Sequence, residues 1–247
     1  MNEQLLPTGQ QAQATGNMVF DPSAVRTFLA SVFSYMALAL IISGTMAWWF
    51  GHDLAMLQYL IDFNTGKQTI LGWVVLFAPL GLVLLMGGMV QRLSGTALLG
   101  IYLIYSALTG MSLSYIFLIY TAGSIASTFF IAAAVFGIMA VAGYTTKTDL
   151  TKLGSILFIG LIGIIIASLV NLWLQSDTMG YVVSIIGVII FTGLTAYDMQ
   201  KLKRMGGHVI NGTEAAQKMA LMGALSLYLD FLNLFLLLLR LFGGRRS

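Results

Sequence analysis

Asp230 stands in the middle of Leu221–Phe242, a stretch (LMGALSLYLDFLNLFLLLLRLF) that is otherwise almost continuously apolar. A run of that length crosses a bilayer. A carboxylate near its centre costs roughly 3 kcal/mol on insertion scales unless it faces a partner or water. Ser226 and Asn233, with Gly223, recur around Asp230 at helical spacing and share one face with it. A second carboxylate, Asp198, follows Tyr197 at the end of the sixth apolar run (GLTAYD), and Arg92 follows the second run directly. Two carboxylates close together in a low dielectric cannot both ionise cheaply, so they tend to share a proton. Arg92 would neutralise one of them and tie its helix to theirs. Protonating Asp198 and Asp230 would then weaken the Arg92 contact and shift the helices that carry it, opening or closing a path. With Ser226 and Asn233, the same two carboxylates supply oxygen ligands of the kind calcium takes, which makes Asp198 and Asp230 the candidate metal site. Taken singly, Asp198 and Arg92 fit ordinary interfacial charges equally well.

The elements that must position these residues are membrane helices. The chain is 58% hydrophobic and 9% charged, with a mean hydropathy of +0.90. A soluble domain carries about 25% charged residues. Seven runs are long enough to span: Phe28–Phe50, Ile70–Val90, Ala97–Tyr120, Thr128–Tyr144, Leu153–Leu174, Gly180–Tyr197 and Leu221–Phe242. The expectation is an all-α integral membrane protein with one seven-helix domain over residues 23–247. Residues 1–22 read as a flexible polar tail that ends at a helix start, Asp21 as cap and Pro22 in the first turn. The tail lacks the pattern of a signal peptide.

With the N-terminus inside, eight basic residues lie on the inner side (Arg26, Arg92, Lys147, Lys152, Lys201, Lys203, Arg204, Lys218) and four outside (Lys67, Arg240, Arg245, Arg246). The positive-inside rule favours that orientation, a cytoplasmic N-terminus in a plasma (bacterial inner) membrane. Three of the four outer charges crowd the C-terminus, which conflicts with an outside C-terminal end. The basic residues sit in short connections, which is topology control rather than nucleic-acid binding. There are no cysteines and two histidines, which excludes thiolate sites and disfavours histidine metal centres. Small residues at four-residue spacing (Ser106, Gly110 and Ser114; Ala133 and Gly137; Gly163 and Ala167) read as helix packing. The thin polar stripe of the seventh helix, flanked by Leu, Phe, Met and Tyr, predicts that this helix is central. Asn171 reads as an interhelical hydrogen-bonding residue.

Ala220–Phe242 resembles the C-terminal signature of the Bax inhibitor-1 (transmembrane Bax inhibitor motif) family. TAYDMQKLK at Thr195–Lys203, YSALTGMSLSYIF at Tyr105–Phe117 and GYTTKTDL at Gly143–Leu150 support it in order and spacing. The resemblance covers about residues 20–246 and is strongest to the bacterial inner-membrane branch. It implies seven helices with the seventh surrounded by the other six. It implies a pH-responsive carboxylate pair, matched here by Asp198 and Asp230, and an arginine latch at the end of the second helix, matched by Arg92. Family members are linked to calcium leak and, in eukaryotes, to suppression of cell death; some bacterial relatives interact with a membrane-bound protease. The function expected is therefore a pH-sensitive ion leak, calcium being the permeant ion, with no cofactor and no enzymatic activity.

Two rivals stand beside that reading. One is a non-transporting regulator that binds a membrane protease or another partner through its tail and bundle surface. The other is an intramembrane aspartyl protease, since paired aspartates suit attack of water on a peptide. Against the protease, Asp230 lies in Tyr-Leu-Asp rather than Gly-x-Gly-Asp, and no Pro-Ala-Leu motif occurs.

Overall fold

The computed structural model describes residues 21–246. In chain order the helices are α1 (Pro22–His52), α2 (Leu54–Leu57), α3 (Ile70–Met89), α4 (Gly95–Leu113), α5 (Ile116–Ile119), α6 (Ala122–Thr145), α7 (Thr151–Leu174), α8 (Asp177–Gly206) and α9 (Glu214–Phe242). A two-residue hairpin, β1 (Ile61–Asp62) with β2 (Lys67–Gln68), joins α2 to α3. Seven helices are long and apolar enough to span a membrane, α4 and α5 forming one of them. The polar tail of the sequence reading lies outside the described residues, apart from its last two. Those behave as expected: the Asp21 side chain accepts from the Ser23 backbone N–H at 2.8 Å, with Pro22 in the first turn.

α9 is the hub. It packs directly on α1, α4, α6 and α8. Its buried positions run from Ala216 to Leu239. α6 meets it through Phe129 and Phe136, whose rings lie edge-on to Phe231 at 5.3 and 5.7 Å. The outer helices are anchored differently: α3 packs chiefly on α4, and α7 on α8. α7 buries only Gly154, so it is the most peripheral of the spans.

Close approach depends on a few glycines. A Cβ on Gly110 would run into the Ser43 backbone of α1, and one on Gly143 into the Ala196 carbonyl of α8. Ser106 and Ser114 are fully buried beside Gly110. The other small-residue stripes are corrected: a Cβ at Gly137 or Gly163 would meet nothing within 4 Å. Spacing licenses close approach, but these two positions are exposed. α7 instead meets α8 at Gly154, against Tyr197, and at Gly160, against Ile190.

Both ends of the bundle are pinned. The α6–α7 connection is held by Gln200 of α8, only 5% exposed. Its Nε2 donates to the Thr148 carbonyl at 2.8 Å, and its Oε1 accepts from the Leu150 N–H at 2.9 Å. Replacing Gln200 by Leu strands both backbone groups, so thermal stability in detergent is expected to fall by about 1–3 kcal/mol. An unchanged melting temperature would contradict this. At the other end, the chain after α9 clasps the α5–α6 link: Thr121 N–H donates to Gly244 O at 3.1 Å and Arg246 N–H to Ile119 O at 2.8 Å.

All four tryptophans (Trp48, Trp49, Trp73 and Trp173) are exposed and sit where α1 and α7 end and α3 begins. Alternating spans put those termini at one end of the bundle, where an aromatic belt anchors a membrane interface. Lys147, Lys152, Lys201, Lys203 and Arg204 mark the opposite end.

Candidate functional site

Asp198 does not follow the sixth span; it lies inside it. α8 continues about two turns beyond Asp198 to Gly206. Hydropathy ends at Tyr197 because Asp198, Gln200, Lys201, Lys203 and Arg204 come next, but Gln200, Lys201, Lys203 and Arg204 are good helix formers on a helix that projects past the apolar layer. α9 likewise starts a full seven residues before the apolar run, at Glu214, capped by the Thr213 side chain. The two extended helices pack along each other and bring the site residues together.

The Ser226 hydroxyl donates to Asp198 Oδ2. Asp198 is therefore level with Ser226, one turn of α9 from Asp230, or about 6 Å along the axis. Asp230 is 5% exposed, and its Oδ2 has no hydrogen-bond partner among the described residues. Asn233 is one turn further along and returns its amide to the Leu229 carbonyl at 2.8 Å. Gly223, the first member of the predicted stripe, packs under Leu202 and does not reach the site.

Ser226, Asp230 and Asn233 all open onto one cleft of about 1380 Å³ between α7, α8 and α9. Tyr197, Asp198 and Lys201 line it toward the basic end, and Asn171, Asp177 and Arg240 toward the tryptophan end. Its middle is walled by apolar side chains such as Ile164, Ile165, Leu236 and Leu237. An ionised carboxylate without a hydrogen bond is heavily disfavoured in such surroundings. Asp230 must therefore be protonated or be met by water or a cation arriving through the cleft.

Arg92 is not part of this constellation. It is exposed in the turn between α3 and α4 and forms no ion pair among the described residues. Its position after a span fixed its depth but not its direction, and α3 packs on the far side of α4. The basic residue that lines the cleft beside Asp198 is Lys201, three residues beyond it on the same face of α8. Asn171 is also corrected: its Oδ1 accepts from the Ser176 N–H at 3.1 Å and closes the α7–α8 turn rather than bridging helices. That turn needs Gln175 in the left-handed region, at φ 48°.

A third carboxylate, Asp149, sits near the same end but in water. The Thr151 hydroxyl (2.6 Å), the Thr151 N–H (3.0 Å) and the Arg204 guanidinium (2.8 Å) all donate to its Oδ1. Those bonds, the Thr151 hydroxyl foremost, hold it well below the ordinary carboxylate range. A depressed folded-state value stabilises the fold above the unfolded carboxylate range, and that contribution is lost only as pH falls through the folded value. Asp149 therefore keeps one charge across pH 6–8. Asp149→Asn is expected to leave any response to pH in that window unchanged, as read by calcium flux into liposomes holding the purified protein at pH 6, 7 and 8; a flattened response would contradict it.

Sequence reasoning missed Lys201, Arg240 and Gln200. Lys201 and Arg240 had been assigned to topology, and a neutral glutamine after an apolar run carries no signal of burial.

The decisive comparison is with family models: residues 25–247 match the model described as inhibitor of apoptosis-promoting Bax1. The chain belongs to the Bax inhibitor-1 family. Within it, the inner membrane protein YbhL of Escherichia coli (strain K12) is 46% identical over 225 residues, which cover 91% of this chain and 94% of YbhL. A protein of Rickettsia prowazekii is 44% identical over 231 residues, 94% of each chain. One of Caulobacter vibrioides is 40% identical over 229 residues, 91% of each. Family membership covers both site helices, so α8 with Asp198 and α9 with Asp230 lie wholly within the shared region.

Proposed function

We propose that this chain is a pH-sensitive cation leak of a bacterial inner membrane, with calcium as its permeant ion and Asp198 and Asp230 as its gate. The observation that carries the proposal is the orphaned Oδ2 of Asp230, buried in the central helix yet opening onto the α7–α8–α9 cleft. The name of the YbhL relative supports the inner membrane. The excess of basic residues at the end of the bundle that holds the N-terminus supports a cytoplasmic N-terminus.

The site suits passage better than storage. Calcium takes six to eight oxygens. Asp198, Asp230, Ser226 and Asn233 fall short of that, and no cluster of three or more acidic or histidine ligands occurs among the described residues. Water would complete the shell, so the ion would be held loosely. Protons compete for the same carboxylates, and their uptake changes the charge between two helices that pack along their length. Arg92 has no part in this gate as it stands; Lys201 is the cation positioned to answer a charge change on Asp198.

The arrangement is also read as non-enzymatic. An aspartyl protease presents two carboxylates to one water, whereas here Asp198 is engaged by Ser226 and Asp230 lies a turn deeper. The test is calcium flux into liposomes holding the purified protein at pH 6, 7 and 8. Flux that changes with pH supports the leak. No flux above empty liposomes at any pH would overturn it in favour of a regulator that acts by binding a partner.

A further inference from the structure

The α7–α8–α9 cleft is built for something larger than an inorganic ion. Its volume of about 1380 Å³ exceeds the roughly 300–1,000 Å³ of sites that take drug-sized molecules, so it has room for one. A hydrated calcium ion gains nothing from Ile164, Ile165, Leu236 and Leu237, the apolar walls around the approach to Asp230. The charges that line the cleft are Asp177, Asp198, Lys201, Asp230 and Arg240. Both basic side chains are exposed at the two mouths, where water screens them. The buried charge-bearing group is Asp230, and the oxygen it leaves unpartnered is buried with it. One buried carboxylate among apolar walls is complementary to a ligand with one positive charge and an apolar body.

We propose that the cleft binds a monovalent hydrophobic organic cation, with its charge at Asp230 and its apolar body between α7 and α9. The ligand would enter from the side, because α7 packs chiefly on α8 and buries only Gly154 among the described residues. The inference rests on the same carboxylate and cleft as the leak, but not on calcium.

The probe is tetraphenylphosphonium, measured by equilibrium dialysis against the full chain in nanodiscs and against empty nanodiscs. Saturable binding at one per chain is expected. The anion of the same shape, tetraphenylborate, is expected not to compete. Asp230→Asn is expected to weaken binding by about tenfold or more, as loss of a buried charge partner does. Ile164→Trp keeps Asp230 but narrows the cleft from a helix that faces lipid, so it should also weaken binding while folding normally. Arg92→Gln, exposed and outside the cleft, should leave binding unchanged. Binding no greater than in empty nanodiscs would overturn the proposal and assign the cleft to acyl chains. So would equal binding of tetraphenylborate, or Asp230→Asn and Ile164→Trp both binding like the wild type. Calcium flux measured on the same purified protein in liposomes separates the two readings. Tetraphenylphosphonium binding without flux sinks the leak and keeps the organic-cation site, whereas flux without that binding does the reverse.

Discussion

Asp230→Asn is expected to abolish the pH dependence of calcium flux, giving one rate at pH 6, 7 and 8 where the wild type changes several-fold. Asparagine has nearly the shape of aspartate but cannot ionise. The substitution therefore removes the titration and keeps the packing of α9 against α1, α4, α6 and α8. Folding should not suffer. The unpartnered Oδ2 means that no protein hydrogen bond is lost there, and a neutral side chain is cheaper to bury than a charged one. Asp198→Asn should give a weaker version of the same result, because the Ser226 hydroxyl can still donate to its amide oxygen. If Asp230→Asn kept the wild-type pH profile, the gate would have to lie elsewhere in the chain.

The second large effect is structural. Gly143 of α6 lies against the backbone of α8 at Ala196, two residues before Asp198; an added Cβ would overlap the Ala196 carbonyl oxygen and approach its Cα to 2.8 Å. Backbone cannot rotate away as a side chain can, so the two helices must separate. Gly143→Ala is expected to cost about 1–3 kcal/mol, the usual penalty of overpacking. Gly143→Leu should prevent normal assembly. Because the displaced segment carries Asp198, Gly143→Ala should also alter flux while Asp230 is intact. Gly137→Ala on the same helix is the control. Its Cβ would meet nothing within 4 Å, so it should be neutral or stabilising by up to about 1 kcal/mol. Thermal melts of the three proteins in one detergent check the order. Equal melting of Gly143→Ala and wild type would show that α6 and α8 are not so closely held.

Seven spans, the central place of α9 and the burial of a carboxylate at Asp230 were legible because each rests on a local quantity. Apolar length reports a membrane crossing. A lone carboxylate in such a run reports a cost that must be offset. What could not be read is which faces meet. Arg92 has the depth of a latch, but depth says nothing of azimuth, and packing of α3 on α4 leaves it in solvent. Gly137 and Gly163 have the spacing of contact residues, yet a Cβ on either would meet nothing within 4 Å, whereas Gly110 and Gly143 lie against a neighbouring backbone. The end of α8 was misplaced because hydropathy marks the edge of the apolar layer, while hydrogen bonding and helix propensity carry the helix to Gly206. The cleft itself was invisible. It exists because α7 leans chiefly on α8, and no residue of α7 announces that.

The central claim is that water and cations reach Asp230 through the α7–α8–α9 cleft. The chain has no cysteine, so a single introduced thiol can report on it without background. Asn233→Cys places a thiol in the cleft one turn from Asp230, where only a bond to its own helix is lost. Ile138→Cys places one on the exposed face of α6, which the account assigns to lipid. The account predicts that a charged, membrane-impermeant thiosulfonate modifies Asn233→Cys in liposomes and leaves Ile138→Cys untouched. Equal protection of both thiols would show the cleft to be dry and would contradict the account.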